Sequence, residues 1–118
     1  MKTRVVQTSG HPYLEVLEPI TRVDDSVDLV SASFESRTRG VLIDHALLPE
    51  AFFELRTRFL GEFLQKLVNY QRRLAIVLPP ERELGLRFQE FLREAKRGAS
   101  FVAFTDRAEA EQWLSGGP

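Results

Sequence analysis

The chain has 118 residues, enough for one domain with a real core and too few for a second. Hydrophobic residues are 43% and charged residues 28%, with a net charge of −1, so no global field draws in nucleic acid or an anionic membrane. The lack of cysteine excludes disulfides, thiol catalysis and the usual structural zinc ligands, and no apolar run approaches the roughly 18 residues of a membrane span.

Residues 3–7 read as a short strand around Val5 and Val6, and residues 12–18 as a second. Between them, Thr8-Ser9-Gly10-His11 is turn chemistry, so the pair predicts an antiparallel hairpin with Pro12 at a strand start. Asp24 or Asp25 can cap a helix whose apolar stripe is Val23, Val27, Val30 and Phe34; Arg37 and Arg39 suit its carboxyl end and Gly40 its closure. Residues 41–44 are consecutive apolar positions ending in a charge, the pattern of a central parallel strand covered on both faces.

Residues 47–70 carry the longest helical pattern and four of the nine phenylalanines. Pro49 fits its first turn. Phe52, Leu55, Phe59, Phe63, Leu67 and Tyr70 trace one face, widened by Leu60, Leu64 and Val68. Arg58, Glu62, Gln65, Lys66 and Asn69 gather on the other, with Glu62 and Lys66 in the favourable order for an i,i+4 ion pair. Gly61 implies either a close neighbour or a bend. Residues 72–78 form a second buried strand, stopped by Pro79-Pro80. Glu81 and Glu83 open the next helix, with Leu84, Phe88, Phe91, Leu92 and Ala95 as its stripe and Gly98 as its end. Residues 100–104 are the last strand. Thr105 or Asp106 caps a final helix anchored by Trp113 and Leu114, and residues 115–118 read as a disordered tail behind a single domain of residues 1–114.

The order β-β-α-β-α-β-α-β-α predicts an α/β fold with a mostly parallel five-stranded sheet and an antiparallel N-terminal edge strand. Whether helices cover one sheet face or both does not follow from the pattern; a bare face would need a partner subunit.

Two resemblances enter here. The run Phe52-Phe53, Leu55, Thr57, Gly61-Glu62, Leu64-Gln65-Lys66, Asn69-Tyr70, then Ala75-Ile76, resembles a family of small bacterial proteins described only as a domain of unknown function, with a GExLQKxxNY helix motif. It implies no activity. The element order is similar to the domain shared by sulfate transporters and anti-sigma factor antagonists. There, a Ser or Thr opening the helix after the middle strand is phosphorylated by a partner kinase, which switches protein binding. The corresponding segment here, Ile43-Asp44-His45-Ala46-Leu47-Leu48-Pro49, holds no hydroxyl, so the resemblance implies the architecture without that switch.

Asp44 and His45 end a central strand, where ligands bind in open α/β sheets. An Asp beside a His suits acid–base work, but adjacent strand residues point to opposite faces, and a capping role competes. Glu62, Gln65, Lys66 and Asn69 form a polar row that suits ligand or partner recognition, against the bland alternative of a solvated face. His11 and His45 are far apart in sequence and no metal-ligand spacing is present. No nucleophile elbow or glycine-rich phosphate loop appears, and the receiver-domain acids are represented by Asp44 alone. Arg56, Arg58, Arg72 and Arg73 are diluted by Glu54 and Glu62 and match no nucleic-acid motif. The N-terminal segment lacks a signal-peptide core, which makes cytoplasm the expected location.

The expected function is therefore a non-catalytic regulatory or protein-interaction domain with no cofactor and no metal, binding a protein partner or a second copy through Asp44, His45, Glu62, Gln65, Lys66 and Asn69. The alternative is a small-molecule binder or enzyme using a cleft between Asp44-His45 and the polar row.

Overall fold

The computed structural model describes residues 1–116. Strands β1 (Thr3–Val6) and β2 (Tyr13–Val16) form the antiparallel hairpin. Helix α1 (Asp25–Ser36) leads to β3 (Gly40–Asp44), and a 3-10 turn, His45–Leu47, leads on to α2 (Glu50–Phe53). A second turn, Leu55–Thr57, precedes α3 (Phe59–Asn69), followed by β4 (Arg73–Val77), α4 (Leu86–Arg97), β5 (Phe101–Phe104) and α5 (Arg107–Gly116). The sheet order is β1-β2-β3-β4-β5, antiparallel at the first pair and parallel thereafter. The two strands expected at the centre lie side by side, with Val41 opposite Leu74 and Ile43 opposite Ile76. No described helix is long and apolar enough to cross a membrane.

Helices cover both faces, unequally. Leu14, Val16, Val41, Ile43, Leu74, Ile76 and Phe101 point into a core roofed by α1 to α4. The alternate residues Tyr13, Leu42 and Ala75 point the other way, onto Ala110 and Leu114 of α5 alone. The α5 carboxyl end sits against the β1–β2 turn: His11 N donates to Ser115 O at 2.8 Å, and a Cβ on Gly10 would run into that same carbonyl. Helix α5 thus extends through Gly116, two residues into the stretch expected as a tail; residues 117–118 lie outside the described residues.

The long helix expected over 47–70 is broken. Arg58 adopts the left-handed conformation (φ 63°), and the Thr57 hydroxyl holds the break. That hydroxyl lies 2.6 Å from Ala51 O and 2.8 Å from Glu54 O as donor, and it accepts from Phe59 N at 3.2 Å. The reason is length. A straight 24-residue helix would run about 36 Å, whereas a five-residue strand spans about 17 Å. The 11 residues of α3 match the sheet they cover. The break also turns Phe52 fully inward, among the rings of Phe53, Phe59, Phe63 and Phe101 at centroid distances of 5.2–6.4 Å.

The expected stripe of α1 is corrected as well. Its buried side is Asp25, Ser26, Leu29, Val30 and Ser33, leaving Val27 46% and Phe34 55% exposed. Ser26 and Ser33 donate to the carbonyls of Val23 and Val30, both at 2.7 Å, so small hydroxyl residues pass inside with their polar groups satisfied. Asp25, not Asp24, ties the helix start, accepting from Thr21 N (2.8 Å) and Arg22 N (3.1 Å). Arg37, left-handed at φ 58°, closes the helix. Gly40 instead opens β3, where a Cβ would come 2.7 Å from Leu114 Cδ2. Helix α4 begins at Leu86 rather than at Glu81, and only Phe88 of its stripe is fully buried. Before it, Arg82 lies 3.9 Å over the Phe53 ring and pairs with Glu50 at 3.3 Å.

Candidate functional site

Asp44 and His45 stand at the carboxyl edge of β3, as expected. The Asp44 carboxylate accepts from Ala46 N at 3.0 Å and so caps the turn that follows. His45 Nε2 is 3.9 Å from Asp44 Oδ2, beyond hydrogen-bond reach, and both side chains are substantially exposed. The pair holds a loop rather than an acid–base dyad. Among the described residues no three His, Asp or Glu side chains gather in a way that could hold a metal ion.

Glu62, Gln65, Lys66 and Asn69 are exposed on the outer side of α3. The expected Glu62–Lys66 ion pair is not made; Gln65 Nε2 donates to Asn69 Oδ1 at 2.7 Å instead. Helix α3 returns antiparallel to the strands, so its carboxyl end, with Asn69, reaches the edge of the sheet opposite Asp44. Asp44 and Asn69 therefore stand at opposite edges of the sheet. No close packing explains Gly61: a Cβ there would meet nothing within 4 Å.

Of the row, Lys66 borders a concavity. A groove of about 500 Å³ runs between α1 and α3, lined by Val27, Val30, Phe34 and Tyr70, with Glu35 and Lys66 along it. Phe34 and Tyr70 meet edge to face at 6.0 Å, and the Arg72 guanidinium lies 4.1 Å above the Phe34 ring. Arg72 is buried by this stacking and by its bond from Nε to Ser33 Oγ at 2.8 Å. Helical spacing places Tyr70 and Phe34 on the apolar stripes of their segments, whereas the fold leaves them 52% and 55% exposed. The signal that could have exposed them is the Ser26, Leu29, Ser33 spacing, which marks the inner side of α1 once bonded serines are allowed there.

The most perturbed titrating groups lie under α5, away from Asp44 and His45. Burial, followed by its bond to Glu111 Oε2 at 2.7 Å, pushes the Tyr13 hydroxyl up to about 12. Glu15 is held below its ordinary range chiefly by Arg107 at 2.7 Å, with Arg4 also at 2.7 Å, against the opposing effect of burial. The same bond raises the proton affinity of Arg107. These groups bond to one another and face no cavity described above, which makes them ties between α5 and the sheet.

No curated protein matches the chain. A family model described as a domain of unknown function does match, across residues 10–114, nearly the whole of the described fold. On that span, the chain belongs to the DUF4180 family.

Proposed function

We propose that this domain is a non-catalytic protein-interaction module and that its partner lays a short amphipathic helix into the α1–α3 groove. The observation that carries the reading is the apolar surface left outside by α1 and α3: Val27, Phe34 and Tyr70 are 46%, 55% and 52% exposed and line one groove. Soluble domains rarely leave contiguous apolar surface of this kind without a use for it. The seven steps from Val27 to Phe34 span about 10 Å, two turns of an apposed helix, the reach of an i, i+3, i+4, i+7 anchor set. Glu35 and Lys66 flank the apolar floor with opposite charges, which would orient such a helix.

The consecutive strand order supports the likeness to the anti-sigma factor antagonist domain, whose work is regulated protein binding. The small-molecule alternative has less support, because Asp44 is engaged in a cap and the polar row of α3 runs away from it.

A photo-crosslinking residue at position 27, introduced in the native host, tests the reading. One defined adduct is expected, reduced several-fold by Phe34→Asp and absent when the probe is moved to exposed Glu90 of α4. An adduct of twice the chain's own mass would make the partner a second copy. No adduct at 27, or equal adducts at 27 and 90, would remove the proposal.

A further inference from the structure

We propose that the edge of the sheet where the parallel strands begin carries an oxyanion site, built by Arg37, Arg39 and Arg73 with His11, for phosphate or a phosphate monoester. The residues come from three separate segments. Arg37 and Arg39 bracket the α1–β3 connection, Arg73 opens β4, and His11 lies in the β1–β2 turn. Because β3 and β4 are parallel neighbours, their starting residues fall side by side: Arg73 N donates to Arg39 O at 2.9 Å, and Gly40 is in register with Arg73. The side chains surround a cavity of about 310 Å³ whose apolar wall is Pro12 and Leu114. A cavity of this volume is at the small end of ligand sites.

The arginines of this edge have no acidic partners. Arg4, Arg56, Arg82, Arg97 and Arg107 each pair with a glutamate. Among the described residues Arg37, Arg39, Arg72 and Arg73 pair with none, although the chain has 17 acidic residues to 16 basic; Arg22, Arg58, Arg87 and Arg93 are unpaired as well but line no part of this cavity. Four uncompensated guanidinium groups at one edge repel one another, and a buried donor without an acceptor costs further stability. Arg73 has that donor: its Nε is buried without a partner, and its guanidinium lies 3.9 Å over the Trp113 ring. Stacking fixes the plane of the fork and leaves its edge for a ligand. Burial weakens the hold of Arg73 on its proton, and burial together with the nearby Arg39 does the same for Arg72 just behind it. A bound anion would offset both effects. Three guanidinium forks offer only donors, which suits a multiply charged tetrahedral oxyanion with several acceptor oxygens better than a single carboxylate.

The test is an NMR titration of the full chain with inorganic phosphate, and in a second arm with phenyl phosphate, at constant ionic strength. Saturable shifts are expected at the Arg side-chain Nε–H groups and at the backbone amides of residues 37–40 and 71–73. Tighter binding of the monoester would assign the ligand's body to the Pro12–Leu114 wall; equal binding would assign the site to free phosphate. Arg39→Ala, at an exposed side chain, should weaken binding by about tenfold or more, while Arg56→Ala, an exposed arginine elsewhere, should leave it within about twofold. Unchanged amide spectra away from the edge show that both variants are folded. Non-saturating shifts spread over all basic residues, or equal losses in the two variants, would overturn the site.

Discussion

The two faces of the sheet are held by different forces. On the face under α1 to α4, cohesion is apolar: eighteen buried residues form one cluster, with Phe52 at the meeting point of four other rings. On the face under α5, the buried cluster has five members, and polar ties take over: Tyr13 to Glu111, Glu15 to Arg107, Arg73 on Trp113 and His11 to Ser115. One helix roofs less of the sheet than four do, and the charged strand residues Glu15 and Arg73 meet its side chains at the margin of the small apolar cluster. The first face should respond to lost volume and ignore pH; the second should do the reverse.

The largest effect is expected from Phe52→Ala, which removes a fully buried ring and leaves a cavity; a loss of about 3–5 kcal/mol is expected by urea unfolding. A loss below about 1 kcal/mol would mean that the aromatic cluster is not the centre of the core. On the α5 face, Glu15→Gln should cost about 1–3 kcal/mol near neutral pH, since it weakens two charge-assisted bonds.

That cost should depend on pH with a definite sign. Glu15 is depressed in the folded state, so its contribution is complete above its unfolded value near 4.5 and is lost as pH falls below it. The difference between wild type and Glu15→Gln should therefore shrink on acidification, while the Phe52→Ala difference should not. Tyr13 has the opposite sense: its folded value is raised from 10.0 to about 12, so its contribution holds below pH 10 and is lost above it. Alkaline unfolding of Tyr13→Phe compared with wild type checks this, and a wild-type advantage that persists unchanged above pH 12 would contradict it. The smallest effect is a gain. Gly61→Ala, where a side chain meets open space in the first turn of α3, should stabilise by up to about 1 kcal/mol.

The candidate sites were legible only in parts. Asp44 and His45 could be placed at a strand end because that strand is a short apolar run, but whether they face each other depends on the turn that Asp44 itself caps. The row on α3 was correctly placed on the outside by helical spacing. Its ion pair was not, because two exposed side chains three or four residues apart have several partners to choose from, and Gln65 chose Asn69. The basic edge was read from sequence as Arg72 and Arg73 grouped with Arg56 and Arg58. In the fold they stand instead with Arg37 and Arg39, whose positions just before a parallel neighbouring strand were the available signal.

By itself the sequence determined the number, kind and order of the strands and main helices and the parallel pairing of the two central strands. Runs of apolar residues and their period report burial of an element about its own axis, and that property is local. The tertiary structure alone decided where the long Phe-rich segment breaks, which side of α1 faces in, and which arginines meet. Each of these depends on the height of the sheet or on a neighbour distant along the chain, and no local periodicity records either.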